Sequence, residues 1–202
     1  MPNTFPANVL IIRHGEKLGD PSKNGNGNGN GSPNLSIQGS ARAAAIPSLF
    51  VPAKPALDCS MMQNATSFSL LYCSVQLSGD PPRFPTPDFI FATDRSKNSN
   101  RPIETITPLA AALNLHYDSK HADDDYAKVA SDILTDPKYA GKTVLICWHH
   151  GKIPQLAQAL GVSNPPDWKG HVFDRVWHIT YPSGKAALKD LPQQLLFGDS
   201  KD

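Results

Sequence analysis

The strongest constraint on this chain is a run of four apolar residues, Val9-Leu10-Ile11-Ile12, with no polar residue among them. A strand with one face in water would alternate, so an unbroken, largely β-branched run predicts a strand covered on both faces. Two later runs have the same character, Asp88 to Thr93 and Thr143 to Trp148. The intervening segments change period. Ile37 to Ile46 is alanine-rich and closed by Pro47, and after Pro102 the residues Ile103, Ile106, Leu109 and Leu113 recur at helical spacing, with Pro108 expected to bend that helix. A helix is predicted over 124–134, with Tyr126, Val129, Ile133 and Leu134 on one face. Another is predicted from Ile153 to Leu160, with Pro154 in its first turn and Gly161 just beyond its end. Arg175 to Tyr181 alternates and reads as an edge strand. Strands alternating with helices predict a three-layer α/β/α sandwich with a mostly parallel central sheet and an antiparallel edge strand.

A chain of 202 residues fits a single domain spanning 1–202. Two segments interrupt the pattern. An Asn-Gly-rich stretch at 20–34 reads as a flexible loop, and 51–87, rich in Pro and Ser without clear period, reads as an insertion or flap. The net charge of +1 offers no basic field for nucleic acid or an anionic membrane, so neither is expected as a partner. Cys59, Cys73 and Cys147 lack metal-ligand spacing and are odd in number, which argues against a disulfide framework. No basic segment precedes a long apolar run at the start, and cytoplasmic localisation is the expectation.

The chemistry gathers where strands end. Val9 to Ile12 runs into Arg13-His14-Gly15, and the strand ending at Trp148 runs into His149-His150-Gly151. In an α/β sheet, ligands bind at the carboxyl ends of strands, so two His-Gly corners can share one site. A third segment, Asp94 to Thr105, follows another strand and places Arg101 at a helix start, where backbone N–H groups favour an anion. Two arginines and two histidines at one sheet edge suit a phosphoryl group, because guanidinium forks bind its oxygens and an imidazole can attack phosphorus. Of the adjacent pair, His150 precedes glycine as His14 does. It is therefore taken as the functional residue, with His149 flanking and hydrogen-bonded behind the site. Joint zinc ligation is disfavoured because neighbouring strand residues point to opposite faces.

These motifs together resemble the histidine phosphatase superfamily, also called phosphoglycerate-mutase-like. Arg13-His14-Gly15-Glu16 resembles its hallmark, Leu35-Ser36-x-x-Gly39-x-x-Arg42-Ala43 its first-helix pattern, and Ser99-x-Arg101-Pro102-x-Glu104-Thr105 its second-arginine motif. His150-Gly151 resembles its second-histidine corner. The resemblance implies a metal-independent phosphatase working through a phosphohistidine, with no cofactor. His14 would be the nucleophile, its other ring nitrogen held by a backbone acceptor. Arg13, Arg101 and His150 would bind the substrate and the transition-state charge. The substrate would be a phosphorylated small molecule or a phosphorylated protein. A mutase-type phosphotransferase and a non-catalytic module holding phosphorylated ligands are the alternatives.

The general acid is the open position. One branch of the family places Asp directly after the second histidine, where this chain has Gly151. The other uses a Glu beyond the second-arginine motif, yet the only glutamates here are Glu16 and Glu104. Asp123 is the candidate among the later acidic residues, and a site with no acid would suit substrates with good leaving groups. Arg42 is otherwise expected to snorkel to solvent, Glu16 and Lys17 to form an exposed pair, and Trp168 and Trp177 to pack.

Overall fold

The computed structural model describes residues 4–18, 32–52 and 81–201. Most of the Asn-Gly-rich stretch and most of the 51–87 segment lie outside the described residues. Six strands form one sheet: β1 (Asn8–Arg13), β2 (Phe89–Thr93), β3 (Tyr117–His121), β4 (Thr143–Trp148), β5 (Arg175–Thr180) and β6 (Ala187–Pro192), in the order β3-β2-β4-β1-β5-β6. Strands β1 to β4 pair in parallel, and β5 runs antiparallel to both its neighbours.

The expected antiparallel strand is therefore present but does not form the edge, because β6 pairs along its outer side. Residues 187–192 carry no clear apolar alternation, and the strand exists because β5 offers it a complete row of partners. At the opposite edge β3 is polar (Tyr117-Asp118-Ser119-Lys120-His121), as suits a strand with one open side.

Pleating divides the apolar runs between two cores. Val9, Ile11, Val144, Ile146 and Trp148 face one way, and Leu10, Ile12, Leu145 and Cys147 the other. The first set is covered by α4 (Tyr126–Thr135) and α5 (Ile153–Ala159). The second is covered by α1 (Ile37–Ala45), α2 (Pro47–Phe50) and α3 (Arg101–Leu113). Pro47 both ends α1 and opens α2. Helix α3 continues through Pro108, and Asn114 stops it in the left-handed conformation. Trp168 and Trp177 pack in the first core as expected, their rings 5.1 Å apart. Among the described residues no helix is long and apolar enough to cross a membrane.

Candidate active site

Register places the two His-Gly corners side by side. Arg13 at the end of β1 lies opposite Trp148 at the end of β4, and the His14 amide donates to the Trp148 carbonyl at 3.3 Å. Strand β2 ends next to β4 on the other side, so three parallel strands deliver their following loops to one edge.

His14 is buried, and its Nδ1 lies 2.7 Å from the carbonyl oxygen of Gly15. A carbonyl only accepts, so Nδ1 carries the proton and Nε2 keeps the lone pair. Burial pushes His14 well below the ordinary histidine range, and the Arg13 cation adds to it; the bond to Gly15 opposes, and His149 and Arg101 contribute further lowering. The ring is held neutral.

Arg13 is 1% exposed. Its guanidinium lies 3.6 Å from the Phe173 ring centroid, and Nη1 donates to the carbonyls of Gly170 (2.7 Å) and Val172 (2.9 Å). Arg101 begins α3 and donates from Nη1 to the Ser32 carbonyl at 3.0 Å. Its Nε is buried without a hydrogen-bond partner among the described residues. Burial lowers the Arg101 guanidinium from its ordinary value, with Glu104 opposing. The Glu104 carboxylate accepts instead from the Leu35 amide at 2.7 Å, clipping the loop before α1 onto α3.

One hydroxyl ties α3 to the loop after β1. Thr105 Oγ1 accepts from the Gly15 amide at 2.9 Å and donates to the Arg101 carbonyl at 2.7 Å. The glycines of the first two motifs meet here as well. A Cβ on Gly39 would run into the backbone of Glu16, with the amide nitrogen at 2.8 Å, and one on Gly15 would lie 2.9 Å from the Gly39 carbonyl oxygen. Ser36 caps α1 by accepting from the Gly39 amide at 3.0 Å.

The two adjacent histidines go to different places. The His149 ring is edge-on to His14, 5.2 Å between centroids, and both its nitrogens have protein partners: Nδ1 at 3.1 Å from Asp123 Oδ1, and Nε2 at 3.0 Å from Ser99 Oγ. It is hydrogen-bonded as expected but stands against the His14 ring itself. His150 lies instead on the Arg13 side. Its Nε2 is 3.4 Å from where a Gly170 Cβ would sit, and Gly170 is the residue whose carbonyl takes Arg13. Helix α5 behind them is seven residues long.

Of the three consecutive aspartates, Asp123 bonds His149. Asp124 pairs with Lys152 at 2.6 Å, and Asp125 accepts from the Ala122 amide. Sequence reasoning missed Ser99, Thr105 and Phe173, which owe their places to chain segments far from the histidines. Only the Ser99 and Thr105 positions within the second-arginine motif hinted at them.

Arg42 and Glu16 depart from the expectation of solvent exposure. Arg42 is 2% exposed, and its Nε and Nη2 donate to Glu16 at 2.7 to 3.1 Å. Nη1 and Nη2 also reach Asp199 at 2.9 and 2.8 Å, and Nη1 reaches Gln193 Oε1 at 3.1 Å. Burial works against the Arg42 cation, but its bonds to Asp199 and Glu16 raise it above the ordinary arginine value.

No family model matches the sequence. A search of the curated proteins finds no match. Solved structures do match. Phosphoserine phosphatase from Entamoeba histolytica in complex with 3-phosphoglyceric acid is similar at TM-score 0.52 and 14% identity, covering 94% of this chain and 99% of that one. The protein histidine phosphatase SixA complexed with tungstate is similar at TM-score 0.50 and 13% identity, over 92% of this chain and 97% of that one. The chain shares the fold of these two phosphatase structures.

Proposed function

We propose that this chain is a metal-independent phosphatase that hydrolyses phosphomonoesters or related phosphoryl compounds through a phosphohistidine. The observation that carries the reading is the His14 bond to the carbonyl of the next residue, Gly15, which leaves a neutral Nε2 near the buried Arg13 and the half-buried Arg101. In the proposed reaction that lone pair forms a P–N bond as the ester P–O bond breaks. Water then attacks phosphorus, the P–N bond breaks, and inorganic phosphate leaves. Arg13, Arg101 and His150 supply the positive charge for the equatorial oxygens, and the buried Nε of Arg101 offers a donor for one of them. Asp123, next to His149, is the proposed acid for the leaving oxygen.

A phosphorylated small molecule or protein is the substrate class this assigns, and the cytoplasm is the proposed location. The bound tungstate and 3-phosphoglyceric acid in the two similar structures support an oxyanion-binding role for the fold. The test uses an activated aryl phosphate and a rapid alkaline quench. An acid-labile, base-stable phosphoenzyme should be trapped, and His14→Ala should abolish both adduct and turnover. Undiminished turnover by His14→Ala, or an adduct on serine, would end this reading.

A further inference from the structure

Segment 193–201, which follows β6, joins the two chain segments that hold the groups proposed to handle phosphate. On one side Asp199 accepts from Arg42 Nη1 and Nη2, and Arg42 in turn grips Glu16, two residues beyond the nucleophile. Asp199 is fixed for this task, since its Oδ2 also accepts from the amides of Leu195 and Leu196 at 2.9 and 3.0 Å. On the other side, the Ser200 amide and hydroxyl donate to Asp174 Oδ2 at 2.6 and 2.9 Å, and the Gln193 amide donates to the Asp174 carbonyl at 2.7 Å. Asp174 directly follows Phe173, the ring on which the Arg13 guanidinium rests. The contacts close a circuit: His14, Glu16, Arg42, Asp199, Ser200, Asp174, Phe173, Arg13, and back to His14.

We infer that Asp199, with Ser200 and Asp174, positions the nucleophile, setting the His14 loop against the 170–174 segment that carries the Arg13 guanidinium. The carboxylate is buried and doubly bonded to an arginine that also holds Glu16, a larger investment than tying down a surface tail requires. Cutting the circuit at one point frees the two loops to shift by fractions of an ångström, and a nucleophile is sensitive to displacement on that scale.

The kinetic half of the test rests on the phosphatase reading; the spectroscopic half does not. Asp199→Asn keeps the shape and removes the charge, and Ser200→Ala weakens the circuit on its other side by removing the hydroxyl bond to Asp174 while the amide bonds stay, so a folding failure in one leaves the other. In Asp199→Asn, kcat per folded molecule on an aryl phosphate should fall roughly 10- to 100-fold. KM and inhibition by inorganic phosphate should change by less than about threefold, because Arg13 and Arg101 remain. Ser200→Ala should show the same split with a smaller fall. In ¹⁵N spectra of histidine-labelled protein, His14 should be a single Nδ1–H tautomer in the unmodified chain and a mixture in the variants. A variant that melts earlier but keeps full kcat and a single tautomer would overturn the inference. Tautomer mixing in a chain that hydrolyses nothing would uphold it and sink the phosphatase reading alone.

Discussion

Arg42 and Arg101 stand in helices that pack against each other, and each is part of a recognisable motif, yet their surroundings are opposite. Arg42 is enclosed by Glu16, Asp199 and Gln193. Arg101 is held through a single neutral carbonyl, and its buried Nε has no partner among the described residues. The difference teaches how to read a cation near an anion site. An arginine whose donors are taken by carboxylates is architecture, and one that leaves a buried Nε without a partner among the described residues has capacity to spare for an anion.

The contrast can be broken from either side. Arg42→Ala should have the largest effect, a loss of about 3–5 kcal/mol in urea unfolding, because Glu16 and Asp199 are left buried without their cation. Phosphate affinity of the remaining folded protein should hold. Arg101→Ala should do the reverse. Its kcat/KM should fall about 10²- to 10³-fold, while the unfolding midpoint moves by no more than about 1 kcal/mol equivalent. Equal stability losses in the two variants would erase the distinction.

The smallest effect is the one set by pH. His14 is depressed in the fold, so between its folded pKa and the ordinary histidine value near 6.5 the unfolded chain takes up a proton that the folded chain refuses. Stability therefore rises with pH across that window and is lost on acidification. The acid limb of kcat/KM should likewise lie below about pH 6.5, since the nucleophile stays neutral there. An acid limb at the ordinary histidine value would mean that His14 is not held as the fold implies.

The buried strands and the helices between them were legible because burial on two faces leaves a continuous apolar run, as in Val9 to Ile12. The edges were not. Strands β3 and β6 take their conformation from a partner's open ladder and carry little signal of their own. At the site, Arg13, His14, Arg101 and the histidine pair were legible from their place after strands. The partners of Arg42 were invisible, because Glu16 and Asp199 lie 26 and 157 positions away in the chain. Gly39 was legible as a motif position, but its reason, backbone contact with Glu16, exists only once α1 has docked on the nucleophile loop. For the histidine pair, spacing put His150 forward, while the surroundings of each ring, His149 against His14 and His150 beside Gly170, were not legible in it.

The Thr105 hydroxyl has a mechanical consequence. By accepting from Gly15 and donating to Arg101, it spans the two sides of the mouth with one short covalent arm. The width of that mouth is thus set before any ligand arrives, as in a fixed-gauge spanner. On the proposed phosphatase reading, a tetrahedral oxyanion of the matching size would meet its contacts without the jaws having to travel, and discrimination among substrates would fall to whatever chemistry hangs outside the gap.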